Sequence, residues 1–216
     1  MQLNDYNAAV EAGHHLNLDE MIKAATILFQ ETTPLPDIER FLLALTQNGE
    51  SAEEVAGLAK VMRAHAISLD VPEGLYIDNC GTGGDGLKTF NISTTTAFVL
   101  AGAGLKIAKH GNRKVSSQAG SSDVLEALNV GLISSPQQIV NLLDEVGIAF
   151  LHAPNFHPAL ARIGEVRRQI GKPTIFNLVG PLTNPVPLKT QFVGINRPLF
   201  TTDYAEVLHL LGRSMG

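Results

Sequence analysis

A chain of 216 residues that is 44% hydrophobic, 17% charged and 6% aromatic has a globular composition, and at this length folding buries roughly 70% of the unfolded surface, in one domain or two small ones. A single cysteine, Cys80, excludes an internal disulfide framework, and no Cys/His cluster has zinc spacing. The net charge of −5 (16 basic against 21 acidic residues) argues against general nucleic-acid binding, no 18-residue apolar run could span a membrane, and Met1–Asp5 lacks the basic start and apolar stretch of a signal peptide, which leaves the cytoplasm as the expected location.

The first 70 residues read as helices. Met21, Ala25, Leu28 and Phe29 follow the i, i+4, i+7, i+8 rule of an amphipathic helix, which Pro34 and Pro36 interrupt. Ile38, Phe41, Leu42 and Leu45 mark a second helix that stops near Asn48-Gly49. Ser51-Ala52-Glu53-Glu54 is a capping box and opens a third, with Val55, Leu58, Ala59 and Met62 on one face. Nothing in this part is chemical, and it reads as a packing or dimerisation unit.

The pattern changes at Val71-Pro72-Glu73-Gly74, where short apolar runs begin to alternate with helical stretches. Leu75–Ile77, Leu105–Ala108, Ile148–Leu151, Ile175–Val179 and Phe192–Ile195 read as strands, and Thr94–Ala103, Asp123–Asn129, Gln137–Val146, Ala159–Ile170 and Tyr204–Met215 as helices. Pro136 and Pro158 sit where a first helical turn accepts proline, and Gly147 and Gly171 where helices stop. Such alternation predicts an α/β domain with a mainly parallel sheet. The last helix has no strand after it, so this domain is expected to be unfinished.

Three segments are suited to chemistry. Gly81-Thr82-Gly83-Gly84-Asp85-Gly86 follows a strand, and consecutive glycines let backbone N–H groups approach a phosphate that a Cβ would hold off. The string satisfies the dinucleotide fingerprint, but the next helix begins only after Lys88-Thr89-Phe90-Asn91, and the second strand ends in Lys109-His110 where a ribose-binding acid is wanted. A P-loop fails because Leu87 separates Gly86 from Lys88-Thr89. In Asn91-Ile92-Ser93-Thr94, Ser93 or Thr94 is placed to cap a helix, and the same hydroxyls suit an anion or magnesium. Lys106, Lys109, Arg113 and Lys114 form a basic island beside His110, which reads either as a solvated charge run or as a site for a small polyanion. Two consecutive strands thus deliver glycine-containing, anion-suited loops to one sheet edge, where open α/β sheets bind ligands.

Gly81-Thr82-Gly83-Gly84-Asp85, Asn91-Ile92-Ser93-Thr94, Lys109-His110-Gly111-Asn112-Arg113, Gly120–Leu128, Ala153–Ala159 and Phe176–Pro185, in this order, resemble the anthranilate phosphoribosyltransferases. The resemblance covers essentially the whole chain, with a looser match in the helical start; pyrimidine nucleoside phosphorylases share the implied fold but fit less well. It implies a helical domain over residues 1–70 and an α/β domain over 71–216 of the nucleoside phosphorylase/phosphoribosyltransferase class, with about 157–187 returning to the helical domain as part of a hinge. It also implies a homodimer held through the helices and a place in tryptophan biosynthesis.

The implied reaction displaces pyrophosphate from C1 of phosphoribosyl pyrophosphate with the amine of anthranilate. Gly81, Gly84, Asp85, Thr89, Asn91, Ser93, Thr94, Lys109, Ser117 and Ser121 would cradle phosphoribosyl pyrophosphate, with Ser93 a ligand to Mg²⁺. Gly81, Asn112 and Arg167 would meet anthranilate, Arg167 offering its fork to the carboxylate, and Lys109, Asn112 and Arg167 would carry the catalysis. Read alone, Arg167 is an ordinary helix arginine. Ser122 stands where alanine is usual and Asn129 where glycine is usual; both are tolerable. An Asp-Glu pair for magnesium and the final strands are expected beyond the last helix, where only Asp203 and Glu206 follow Thr202, so the chain as given is expected to have little transferase activity. Two other readings stand beside this one: a non-catalytic phosphoribosyl- or nucleic-acid-binding relative, and an NAD(P) oxidoreductase resting on the lone glycine fingerprint.

Overall fold

The computed structural model describes residues 2–84, 89–113, 120–132 and 135–216. In chain order the elements are α1 (Leu3–Glu11), α2 (Leu18–Leu28), α3 (Leu35–Asn48), α4 (Ala52–Ala64), β1 (Tyr76–Gly81), α5 (Ile92–Gly102), β2 (Lys106–Gly111), α6 (Ser121–Ala127), α7 (Pro136–Glu145), β3 (Ile148–His152), α8 (Ala153–Phe156), α9 (Leu160–Ile170), α10 (Ile175–Val179), β4 (Thr190–Gly194) and α11 (Thr201–Leu210). They divide into two compact units. One holds Met1–Ala66, Pro158–Thr183 and Phe200–Leu211; the other holds Ile67–His157, Asn184–Leu199 and Gly212–Gly216.

The first unit is a helical bundle. Capping boxes set the starts of its helices: the Asn17 carboxamide accepts from Glu20 N–H, and the Ser51 hydroxyl from Glu54 N–H. Glu54 does more than cap. Its carboxylate is fully buried and accepts from the backbone N–H of Ser51 (2.7 Å) and of Leu16 (2.9 Å), which pins the α1–α2 connection to α4. α2 and α4 approach so closely that a Cβ on Gly57 would lie 2.8 Å from Met21 Cβ and 3.2 Å from Leu18 O. Arg162 on α9 clamps the α2–α3 connection by donating to Gln30 O and Thr33 O, both at 2.8 Å.

Ile175–Val179, read from sequence as a strand, is the helix α10. Its Ile175, Phe176, Leu178 and Val179 are all buried around the half-buried Asn177, and a five-residue run of this kind is too short for its period to separate strand from helix. The last helix runs over Thr201–Leu210 rather than to Met215: Gly212 takes φ +75°, and Met215 then lies beside β4, its carbonyl accepting from Gln191 N–H.

The second unit is a four-stranded parallel sheet in the order β3-β2-β1-β4. The chain steps outward from β1 through β2 to β3 and then returns to the other side of β1 as β4, so the strand order reverses between β1 and β4. Crevices at such reversal points, at the carboxyl ends of the strands, are where open α/β sheets take ligands. Tyr76, Ala108, Ala149, Leu151 and Val186 pack with Ile139 and Leu143 of α7 and Phe156 of α8 into this unit's core. β2 extends past the predicted Ala108, so Lys109, His110 and Gly111 belong to the strand and not to the loop after it.

Replacing Gly57 with alanine is expected to destabilise the protein by about 1–3 kcal/mol, because the new methyl meets Met21 Cβ, which cannot swing away as a side-chain tip could. Urea denaturation followed by circular dichroism measures the change.

Candidate active site

β1 ends on Asp78-Asn79-Cys80-Gly81, and the chain turns at Thr82-Gly83-Gly84. Gly83 and Gly84 take φ of +65° and +76°, a region that side-chain-bearing residues enter only with strain. Thr82 N–H donates to Gly194 O at 2.9 Å, and a Cβ on Gly81 would come within 2.9 Å of that same carbonyl. Only glycine lets β1 leave the sheet this close to β4.

Beneath the turn, Asp78 is fully buried. One carboxylate oxygen accepts from His110 N–H (3.3 Å), and the other from the Asn184 carboxamide (3.1 Å) and the Cys80 thiol (3.2 Å). Burial pushes the Asp78 pKa up, while the Lys109 charge and these hydrogen bonds oppose the rise. Desolvation and the neighbouring Asp78 push the Cys80 thiol well above its ordinary value, which leaves it a poor nucleophile. Asn184 also donates to Ala108 O (2.7 Å) and accepts from Val186 N–H (3.0 Å).

On the other side of β1, Asn79 donates to Ser93 O at 2.8 Å and so ties the strand to the first turn of α5. Asn91, not Ser93 or Thr94, is the N-cap of that helix. The buried Thr94 hydroxyl donates to the Asn91 carboxamide at 2.8 Å, and the Thr95 hydroxyl to Asn91 O at 3.1 Å. The half-buried Ser93 hydroxyl has no hydrogen-bond partner among the described residues. No group of three or more His, Cys, Asp and Glu that could hold a metal ion occurs among the described residues. One hydroxyl oxygen fits a hard cation such as Mg²⁺ that takes most of its ligands from bound phosphates and water.

Lys109 departs from its expected setting. It is 2% exposed, and its ammonium donates to Asn79 O at 2.9 Å, its one hydrogen bond among the described residues. The rest of the basic island is largely neutralised. Arg113 forms a two-pronged pair with Glu126 and lies 3.6 Å from Asp123, while Lys106 pairs with Asp144 at 3.1 Å. Among the described residues the island is therefore not a solvated charge run, since Lys106 and Arg113 are paired with acids and the Lys109 ammonium is buried.

Asn112 and Thr89 are exposed, and Gly81 lies exposed at the strand end. Asn112 O accepts from Ser122 N–H (3.3 Å) and from the Ser121 hydroxyl (3.2 Å), which seats the start of α6 on the end of β2. A Cβ on Gly111 would collide with the Ser121 hydroxyl. The Ser122 hydroxyl and His152 Nδ1 are 3.0 Å apart. Asp85 and Ser117, both predicted to bind phosphoribosyl pyrophosphate, and Lys114 of the island lie outside the described residues. Arg167 belongs to the helical unit, half-buried on α9, where it donates to the Asn177 carboxamide (3.3 Å) and stands 5.3 Å from the centroid of the Phe176 ring. The sequence reading did not single out Asp78, Asn79 or Asn184; polar residues inside an otherwise apolar strand, and the asparagine of Thr183-Asn184-Pro185, were the available signals.

The sequence matches the family described as "Glycosyl transferase family, a/b domain" over residues 73–216 and that described as "Glycosyl transferase family, helical bundle domain" over residues 5–66. The chain belongs to this glycosyl transferase family. Among curated relatives, the anthranilate phosphoribosyltransferase of Bacillus cereus (strain B4264) is 53% identical over 211 residues, and that of Exiguobacterium sibiricum is 54% identical over 211 residues, each alignment covering 98% of this chain and 62% of the relative. The crystal structure of anthranilate phosphoribosyltransferase from Thermus thermophilus superposes with a TM-score of 0.91 at 38% identity, covering 99% of this chain and 64% of that one. The Saccharomyces cerevisiae anthranilate phosphoribosyltransferase in complex with PRPP and Mg gives 0.89 at 28% identity, again covering 99% and 64%. The chain spans about 62% of the length of the curated relatives it matches.

Replacing Asn184 with alanine strips partners from Ala108 O, Val186 N–H and Asp78, at a cost of roughly 1–3 kcal/mol for each buried group left unpaired, and a lowered urea midpoint is the expected reading. His152 titrates below the ordinary histidine range, first through desolvation and then through the Arg113 charge. The folded state therefore favours the neutral ring: the stability this contributes is full above the ordinary histidine pKa and is lost as pH falls through the folded one. Arg113→Gln removes that cation and leaves Glu126 and Asp123, so the His152 pKa is expected to rise in an NMR titration.

Proposed function

We propose that this chain carries the phosphoribosyl-pyrophosphate and anthranilate groups of an anthranilate phosphoribosyltransferase, which transfers phosphoribosyl to the anthranilate amine and releases pyrophosphate in tryptophan biosynthesis. The observation that carries the reading is the convergence of β1 and β2. Neighbouring parallel strands bring a glycine turn with two left-handed residues and the buried Lys109 ammonium to one sheet edge, beside the reversal of strand order. The relatives that the chain matches at 53% identity bear that enzyme's name.

In this reading the turn at Gly81–Gly84, with Asp85 and Thr89 following it, receives the diphosphate on backbone N–H groups, as successive glycines allow. Asn91, Ser93 and Thr94 belong to the start of α5, and Ser117 and Ser121, the latter at the start of α6, are assigned to the same substrate. Lys109 supplies positive charge to the leaving pyrophosphate from a site where little water screens it. Mg²⁺, when bound, would neutralise more of that charge, and the Ser93 hydroxyl is the ligand this chain offers it. Anthranilate is received through its carboxylate by Arg167, with Gly81 and Asn112 assigned to the same substrate. An aryl amine is already neutral at pH 7, so its nitrogen attacks C1 of the ribose as the C1–O bond to pyrophosphate breaks, and no strong general base is needed. Catalysis then consists of positioning and charge stabilisation. The same reading includes a cytoplasmic homodimer joined through the helical unit.

Lys109→Met keeps the apolar stem and removes the charge. It is expected to weaken PRPP binding in the presence of Mg²⁺ by roughly tenfold to a hundredfold, the worth of a hydrogen bond to a charged group. Titration calorimetry measures it, with circular dichroism as the check on folding; an unchanged affinity sinks this placement of the cradle.

A further inference from the structure

Arginines of the helical unit have contrasting partners. Arg40 is held by both oxygens of Glu11 at 2.5 Å, and Arg162 donates to two backbone carbonyls. Arg167 has neither arrangement. Among the described residues it makes no ion pair, and its contacts are one hydrogen bond to a neutral carboxamide, at 3.3 Å, and the face of Phe176. Desolvation, with no opposing carboxylate, is what moves its pKa, and it moves it down. A half-buried cation with no anion beside it is an unfavourable arrangement in a bundle that pairs Arg40 with a carboxylate.

Asn177 produces this state. Its side-chain oxygen accepts two N–H groups: Thr174 N–H at 3.0 Å, which closes the start of α10, and the Arg167 guanidinium. Aspartate would accept both equally well and would suit the first turn of a helix better, since a negative charge there meets the positive end of the dipole. An uncharged residue at this position instead holds one corner of the guanidinium, which lies over the Phe176 ring. Among the described residues one of its five N–H donors is engaged; it is on Nη2, which both carboxylate-binding edges share, so one of the two edges stays open for a carboxylate at both oxygens.

We infer that Asn177 is a positioning residue for substrate selection: its neutral carboxamide orients Arg167 without cancelling its charge, so that this site selects aromatic acids over their uncharged analogues. The inference rests on the assignment of Arg167 to the anthranilate carboxylate made above.

The test compares anthranilate with anthranilamide, its neutral carboxamide, by titration calorimetry on the intact chain and its variants. The parent protein is expected to prefer the carboxylate by about tenfold or more, as for a hydrogen-bonded charged group. Asn177→Asp keeps the acceptor for Thr174 N–H but pairs with Arg167, and it is expected to lose that preference while PRPP affinity holds. Asn177→Ser, shorter but neutral, is expected to keep the preference. A purely structural role for Asn177 predicts the reverse order, with the aspartate variant as selective as the parent, and that result overturns the inference alone. Loss of preference in both variants also overturns it, because charge would not be the cause. A parent protein that binds anthranilate no better than anthranilamide overturns the substrate reading of Arg167, and the inference with it.

Discussion

The buried carboxylate of Asp78 is the constraint on which the α/β unit depends. A carboxylate removed from water must find donors, and here they come from segments far apart in the chain: the backbone of His110, 32 residues on, and the carboxamide of Asn184, 106 residues on. Because Asn184 also donates to Ala108 O, β2 cannot slide along β1 without leaving a charge or a carbonyl unpaired. The glycine turn above it can therefore be loose in side chains and fixed in position. Asn79 extends the same logic to the opposite face of the sheet, holding Ser93 to the strand through a backbone carbonyl.

Electrostatics in the α/β unit are arranged by subtraction. The four cations of the island would give a diffuse positive surface if left to solvent. Instead Arg113 and Lys106 are paired with acids on α6 and α7, and Lys109 is withdrawn into the sheet. Among the described cations of the island, the one that pairs with no surface acid is the desolvated Lys109 ammonium, in a chain whose overall charge is −5. The helical unit applies the same economy to its arginines, with Arg40 and Arg162 held by their partners and Arg167 held at one corner only.

Local patterns in the sequence carried much of this fold. The box at Ser51, the helical spacing around Phe41 and Leu58, and the punctuation by Gly147 and Gly171 depend on residues close together along the chain, so their chemistry is complete within one segment. The alternation of strands and helices after Gly74 implied a parallel sheet for a similar reason: short parallel strands need crossovers, and the lengths between them suited helices. The glycine turn was legible because only glycine tolerates the backbone found at Gly83 and Gly84.

Other features had no local signature. Ile175–Val179 is five residues long and apolar except for Asn177, too short for its periodicity to separate strand from helix. Whether Lys109 is a loop cation or a buried one turns on a strand continuing three residues past its predicted end, which is set by pairing with β3. The quenching of Arg113 depends on α6 presenting Glu126 and Asp123 to it. Asp78 and Asn184, 106 positions apart, look unremarkable alone and acquire their role only when the chain between them folds back. The sequence by itself determined most of the elements, the Ser51 cap and the glycine turn, because those depend on neighbours along the chain. Tertiary structure alone decided which charges are cancelled and which are kept, because a charge is defined by what surrounds it in space.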